Sequence, residues 1–314
     1  MSFSSRTKGE LARINLNEKC CQLAELAALV RMCGSLHLQG HRKLSFDLTT
    51  ENAAVARKAF RIIKRLFSLQ AEVIVRRNTR LKKNNHYLVS INHLSGSEDI
   101  LGEIGILKRD GNFLDIDISI PKEIVTKNCC KRAYLRGAFL GAASISDPEK
   151  TYHLEFVTNS IKHSKGLESL LNTFDLKAKT IKRKESYVVY LKEGDKIIDL
   201  LNIIGAHKAL LDIENIRILK SMRNSVNRVV NCETANLTKV VNAAIRQVQK
   251  IEFIKQTVGL HKLPDNLREV AETRLNNREA SLKELGKMLS IPIGKSGINH
   301  RLRKIEEFAD KLKS

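Results

Sequence analysis

Two sets of residues in the 314-residue chain have types suited to chemistry or recognition. The first is cysteine. Cys20–Cys21 and Cys129–Cys130 are adjacent pairs, while Cys33 and Cys232 stand alone. No Cys-x-x-Cys and no Cys/His ladder is present, so the residues read as buried free thiols and not as a metal site. Cys232 lies beside Glu233 with no nearby histidine to activate it, so it is not a nucleophile candidate. The second set closes the chain. In "IPIGKSGINHRLRKI" the outward residues are Lys295, Ser296, Gly297, Asn299, His300, Arg301, Arg303 and Lys304. Asparagine and arginine can read base edges in a major groove, and serine and lysine suit phosphates. His300 is the weakest member of this set. The chemistry on offer is recognition of a polyanion, and the sequence nominates no catalytic residue.

The elements that position these residues begin with an internal repeat. "LAALVRMCGSL" (26–36) matches "LRGAFLGAASI" (135–145) at a constant offset of 109. Each copy predicts a helix with small residues on one stripe, followed by a serine and a strand. The downstream order also matches. "KLSFDLTT" and "YHLEFVTN" alternate as strands, and "ENAAVARKAFRIIKRLFSL" and "SKGLESLLNTFD" are amphipathic helices. Residues 71–91 and 177–194 read as hairpins, and "EDILGEIGIL" and "DKIIDLLNIIGA" as closing helices. The order is α-β-β-α-β-β-α, twice, across a connector of about thirty residues. Ala27, Ala28, Gly137 and Gly141 are small enough to let two helix backbones approach along a pseudo-two-fold axis.

The last third changes character. Residues 206–260 have no strand alternation and no proline, and predict two or more helices, with "NCETANL" ending one and beginning the next. Arg217, Lys220, Arg223 or Asn224, and Arg228 fall close to one helix face. Asp265 is placed as the N-cap of a helix buried through Leu267, Val270, Ala271 and Leu275. "SLKELGKML" opens with the capping-box spacing Ser281…Glu284 and buries Leu282, Leu285 and Leu289. After a turn at Pro292 and Gly294, the final helix buries Ile298, Leu302, Ile305 and Ala309. Three helices with a tight turn before the last read as a helix-turn-helix.

The net charge is +21, with +9 in residues 1–110, +3 in 111–205 and +9 in 206–314. A field of that sign favours nucleic acid first. No apolar run approaches a membrane span, and "MSFSSRTKGELARI" lacks a signal-peptide core, so the expected location is cytoplasmic and nucleoid-associated. The basic hairpins "RRNTRLKK" (76–83) and "KTIKRK" (179–184) are either solvated faces or DNA contacts.

On these residues the repeat resembles the LAGLIDADG homing-endonuclease fold. In that family the paired helices carry acids that hold a divalent metal. Here the matching positions are Cys33 and Ala142, and neither supplies an oxygen ligand for Mg²⁺. Asp47 and Glu155 sit on the following strands, but nothing in the sequence brings them to the axis as a pair. With "RAYLRGAFLGAASISDP", "NCETAN" and "SLKELGKMLSIPIGKSGINHRLRKI", nearly the whole chain resembles the bacterial WhiA proteins, whose terminal domain is similar to the promoter-reading domain of sigma factors. The resemblance implies an α+β fold. A pseudo-two-fold LAGLIDADG-like αββαββα pair (1–110 and 111–206) is followed by a helical linker (207–262) and a helix-turn-helix (263–314). It implies a non-enzymatic regulator bound to double-stranded DNA, with transcription or division proteins as further partners. Cofactor, metal, membrane and small-molecule substrate are not expected. Roles in cell division, chromosome segregation and, in filamentous relatives, sporulation control come with the family. The alternatives are a residual metal-dependent homing endonuclease and an RNA-splicing helper. The missing acids weigh against the first. The absence of tryptophan and a 5% aromatic content weigh against the stacking platforms of the second.

Overall fold

The computed structural model describes residues 1–39, 43–77, 85–91, 94–110 and 113–313. They divide into two compact units, Met1–Ile218 and Leu219–Ser314.

The first unit is built on the repeat. A helix that sequence reasoning did not foresee, α1 (Phe3–Leu11), precedes the first copy. The copy itself runs α2 (Lys19–Cys33), β1 (Gly34–Gln39), β2 (Lys43–Thr50), α3 (Ala53–Phe67), β3 (Glu72–Arg77), β4 (Asn85–Ser90) and α4 (Leu94–Glu103). The second copy runs α5 (Asn128–Ala142), β7 (Ala143–Ile145), β8 (Leu154–Thr158), α6 (Ile161–Asn172), β9 (Lys179–Arg183), β10 (Ser186–Leu191) and α7 (Gly194–Ile204). The connector is not plain loop. It forms the hairpin β5 (Leu107–Asp110) and β6 (Phe113–Ile116), then a 3₁₀ turn at Lys122–Val125. α4 ends earlier than the pattern predicts because Gly105 takes φ +67° and turns the chain into β5.

Both sheets are antiparallel with one order, β1-β2-β4-β3 and β7-β8-β10-β9. The registers agree as well: Ser35 faces Asp47, and Ser144 faces Glu155. α2 and α5 pack on each other at the centre and share a core with Phe46, Phe139 and Phe156. The small residues do what their size suggests. A Cβ on Gly137 would stand 2.3 Å from the Glu25 carbonyl oxygen and 2.9 Å from Ala28 Cβ. One on Gly141 would stand 2.6 Å from Met32 Cβ.

The seam also holds charge. Glu25 on α2 is fully buried, 2.7 Å from Lys58 Nζ and 3.5 Å from Arg136 Nη1. Arg31 donates to the Ile104 and Gly105 carbonyls at the end of α4, and Arg136 to the Ile204 carbonyl at the end of α7. Each central helix thus uses one arginine to satisfy carbonyls left open at the closing helix of its half.

His163 is buried between the Tyr134 hydroxyl (2.9 Å) and Thr158 Oγ1 (3.3 Å), and burial lowers its pKa to about 3. The folded state therefore binds fewer protons than the unfolded state between about 6.5 and about 3, and stability falls as pH drops through that window. Urea midpoints from pH about 6.5 to about 5 should decline, and His163→Gln, which cannot charge, should decline less. Equal slopes for the two proteins would assign the titration to other groups.

Past α7, closed by Gly205 at φ +90°, the expected break at "NCETANL" does not occur. One helix, α8, runs His207–Thr257. It contains neither glycine nor proline, and it stops only where Gly259 takes φ +79°. The boundary between units falls inside it. Ala209 and Ile213 belong to the first core, whereas Ile251 and Ile254 belong to the second.

Candidate nucleic-acid interface

The second unit completes itself with α9 (Asp265–Asn276), α10 (Leu282–Met288) and α11 (Lys295–Lys313). α9 differs from expectation at its start. Asp265 is the first helical residue and Pro264 occupies the cap position, so Asp265 acts on the helix dipole and not as a cap. The capping box on α10 is present: the Glu284 amide donates to Ser281 Oγ (3.3 Å) and the Ser281 amide to Glu284 Oε2 (2.7 Å). Leu285, Leu289, Ile298, Leu302, Ile305 and Ala309 are buried as predicted, while Leu275 and Leu282 are only half-buried at the edge of that core.

The turn between α10 and α11 depends on one glycine. A Cβ on Gly286 would lie 2.2 Å from the Ile293 carbonyl oxygen, and the Ile293 amide donates to the Gly286 carbonyl. Arg274, almost fully buried, was not anticipated. It donates to the Ala280 and Arg278 carbonyls and to Gln247 Oε1, fastening the α9–α10 connection to α8. An arginine reads as surface in a sequence, and only the tertiary carbonyls around it reveal the role.

With the apolar stripe turned inward, Lys295, Ser296, Asn299, His300, Arg303 and Lys304 are exposed. Arg301 and Gly297 depart from the expected outward set. Arg301 is half-buried and reaches the Asn266 carbonyl at 3.4 Å, and Gly297 lies against Ile293. Arg301 therefore ties α11 to α9, and Gly297 packs against the turn. His300 stands opposite the buried stripe, in the middle of the exposed face. Arg303 lies 3.8 Å from Glu307 in a solvent-exposed pair that a phosphate could displace at little cost. The first-turn amides of α11, at Lys295, Ser296 and Gly297, precede the first intrahelical bond and point toward any ligand at that end.

At Cys33 and Ala142, the positions matched in sequence to the nuclease acids, the geometry differs. Cys33 Sγ donates to the Leu29 carbonyl at 3.2 Å, and burial pushes the thiol up to about 12. Ala142 is half-buried at the end of α5, not deep in the seam, and the close contacts belong to Gly137 and Gly141 instead. The strand acids are engaged inside their own sheets. Asp47 lies 3.0 Å from His37 Nε2, and Glu155 accepts from Ser144 Oγ at 3.2 Å with His153 and Arg183 beside it. Of the basic hairpins, Arg76 and Arg77 are exposed on the edge strand β3, and 78–83 lie outside the described residues. Lys179, Lys182 and Arg183 are exposed on the corresponding edge strand β9. On α8, Arg223, Asn224 and Arg228 are exposed, and Arg217 is paired with Asp195.

The cysteines depart most from expectation. Cys20, Cys21, Cys129 and Cys130 come together with all four sulfurs within 4.8 Å of one another. Cys21 and Cys130 are buried, but Cys20 and Cys129 are exposed. The signal was present in the sequence, since both pairs are related by the repeat offset of 109 that aligns α2 with α5.

Three stretches of the chain match known protein families. Residues 19–107 match the WhiA N-terminal LAGLIDADG-like domain, 131–223 the WhiA LAGLIDADG-like domain and 226–309 the WhiA C-terminal HTH domain. The chain is 63% identical over 313 residues to "Probable cell division protein WhiA" of Alkaliphilus oremlandii, covering 99% of this chain and 98% of that one. It is 53% identical to the protein of that name from Clostridium botulinum, covering 100% and 99%. Among solved structures, full-length DUF199/WhiA from Thermatoga maritima aligns over 99% of both chains with a TM-score of 0.61 at 27% identity. The N-terminal LAGLIDADG domain of DUF199/WhiA aligns over 65% of this chain and 90% of that one, with a TM-score of 0.50 at 20% identity, a likeness of fold.

Proposed function

Because the chain belongs to the WhiA family, we propose that it is a non-enzymatic protein that binds double-stranded DNA through α11. The observation that carries this reading is the exposed face of that helix. Lys295, Ser296, Asn299, His300, Arg303 and Lys304 lie on one rigid helix, held from behind by a packed core and a backbone-tight turn. That is the arrangement by which a recognition helix presents donors to base edges and phosphates. The duplicated unit serves as scaffold, for protein partners or for a second, weaker DNA contact through β3 and β9. Among the described residues no helix is long and apolar enough to cross a membrane, and a nucleoid location follows from the DNA partner. The relatives are named probable cell division proteins, and we attach the proposed binding to that process. We read the role as transcriptional or chromosomal control, with chromosome segregation and sporulation control as its forms elsewhere in the family.

The nuclease alternative would need oxygen ligands at the helix pair, where Cys33 and Ala142 offer none. Purified protein with supercoiled plasmid and Mg²⁺ or Mn²⁺ should therefore leave the plasmid intact. In the same preparation, a mobility-shift titration should show salt-sensitive duplex binding. Metal-dependent nicking that co-purifies with the chain would overturn the first expectation. Absence of duplex binding at low salt would overturn the second.

A further inference from the structure

The four clustered cysteines have no part in that function, and their arrangement is specific. Cys20 and Cys21 are the second and third residues of α2, and Cys129 and Cys130 hold the same places in α5. The pseudo-two-fold that pairs the helices thus makes a site from two copies of one dipeptide, at the opposite ends of α2 and α5 from Cys33 and Ala142. The spacing of the sulfurs identifies the kind of ligand. A tetrahedral zinc site with bonds of about 2.3 Å places its sulfurs roughly 3.8 Å apart. Here Cys129 Sγ and Cys130 Sγ are 3.9 Å apart, and no pair in the group exceeds 4.8 Å. An iron–sulfur cluster must fit several irons and sulfides between its thiolates and needs a wider set.

The surroundings suit concentrated negative charge. Neither helix has a side-chain N-cap bond, from Glu18 or from Lys127, so the first-turn amides of both helices remain available as donors toward the sulfurs. Lys19, Lys127, Lys131 and Arg132 flank the two pairs in sequence, with Glu18 as the acid among them.

We propose that Cys20, Cys21, Cys129 and Cys130 form a mononuclear tetrathiolate site for a thiophilic divalent cation, zinc first, which staples the N-terminal ends of α2 and α5. Binding forms four metal–sulfur bonds and releases one proton from each thiol, with no change of oxidation state. The site reverses the reading of the cysteines as isolated thiols, and it is independent of DNA recognition by α11.

The test uses the full chain, purified under reducing, oxygen-free conditions. Elemental analysis should find one zinc per chain. Replacement by Co²⁺ should give thiolate-to-cobalt charge transfer in the near ultraviolet and the intense visible bands of tetrahedral cobalt. Cys20→Ser with Cys129→Ser, and Cys21→Ser with Cys130→Ser, should each abolish those bands. Cys33→Ser with Cys232→Ser should keep them. Should a paired variant fail to fold, the zinc stoichiometry and cobalt spectrum of the unaltered chain still decide. A wild-type chain that takes up no Zn²⁺ or Co²⁺, an octahedral cobalt spectrum, loss of the bands in the Cys33/Cys232 control, or recovery of the pairs as disulfides under these conditions would each overturn the site.

Discussion

Glu25→Leu should destabilise the duplicated unit by about 3–5 kcal/mol, the cost of removing one partner from a buried ion pair. The reason lies in what the carboxylate leaves behind. Lys58 Nζ is 2.7 Å away on α3 and also donates to the Leu11 and Ile14 carbonyls. Arg136 approaches from α5, in the other half. Burial pushes Glu25 up and Lys58 down, and their attraction to each other, with that of Arg136 for Glu25, opposes the shift of the acid. Leucine would fill the volume but strand two cations away from water. Adding Lys58→Met removes one stranded charge and should recover part of the loss, a coupling that a double-mutant cycle reads from urea midpoints. A Glu25→Leu midpoint equal to wild type would mean that the carboxylate holds nothing together. Because the triad joins α2, α3 and α5, the loss should appear as cooperative unfolding of both repeats.

The second large effect is expected at Gly286. Its φ is not in the left-handed region, so the constraint is steric: any Cβ collides with the Ile293 carbonyl oxygen, and backbone cannot yield as a side chain can. Gly286→Val should cost about 1–3 kcal/mol in the second unit, the range for overpacking, and the shifted turn should abolish sequence-specific DNA binding. Gly297→Ala is the informative contrast. There the new methyl meets only the Ile293 side chain, nearest at Cδ1, 3.2 Å away, which can turn aside as a backbone carbonyl cannot. Stability should be kept to within about 1 kcal/mol, with binding retained. Circular dichroism melts with parallel DNA titrations check both, and specific binding by Gly286→Val at wild-type strength would show that the turn does not position the reader.

What the sequence disclosed, and what it hid, follows from how each feature is written in it. The constant offset of 109 exposed the helix pair, and the elements after it matched in chain order, because duplication repeats a pattern that chance does not; the order of strands within each sheet was not legible in the sequence. The buried stripe Ile298, Leu302, Ile305 and the capping box at Ser281 were legible because helical spacing and capping are local. α1 was missed because its nine residues bury only Phe3, Thr7 and Leu11, too little for a periodic signal. The continuity of α8 was missed because polar "NCETAN" resembles a break, although only glycine or proline would have forced one. Glu25, Lys58, Arg274 and Arg301 were invisible as structural residues, since their partners come from distant segments and charge reads as surface. The cysteine site needed both kinds of information. The offset was in the sequence, but the convergence of the helix ends appears only in the fold.

In the proposed function α11 reads DNA and the duplicated unit does not. That division is tested most directly by salt-dependent titrations of one preferred duplex with three full-length proteins: wild type, Asn299→Ala/His300→Ala/Arg303→Ala, and Arg76→Ala/Arg77→Ala/Lys179→Ala/Arg183→Ala. A base-edge contact contributes about 1–3 kcal/mol, so the α11 variant should lose about tenfold or more in affinity for the preferred duplex and most of its preference over random sequence. The sheet variant should keep that preference and lose at most a shallow part of the salt slope. Wild-type discrimination by the α11 variant, together with its loss in the sheet variant, would place the reader in the duplicated unit and contradict the account.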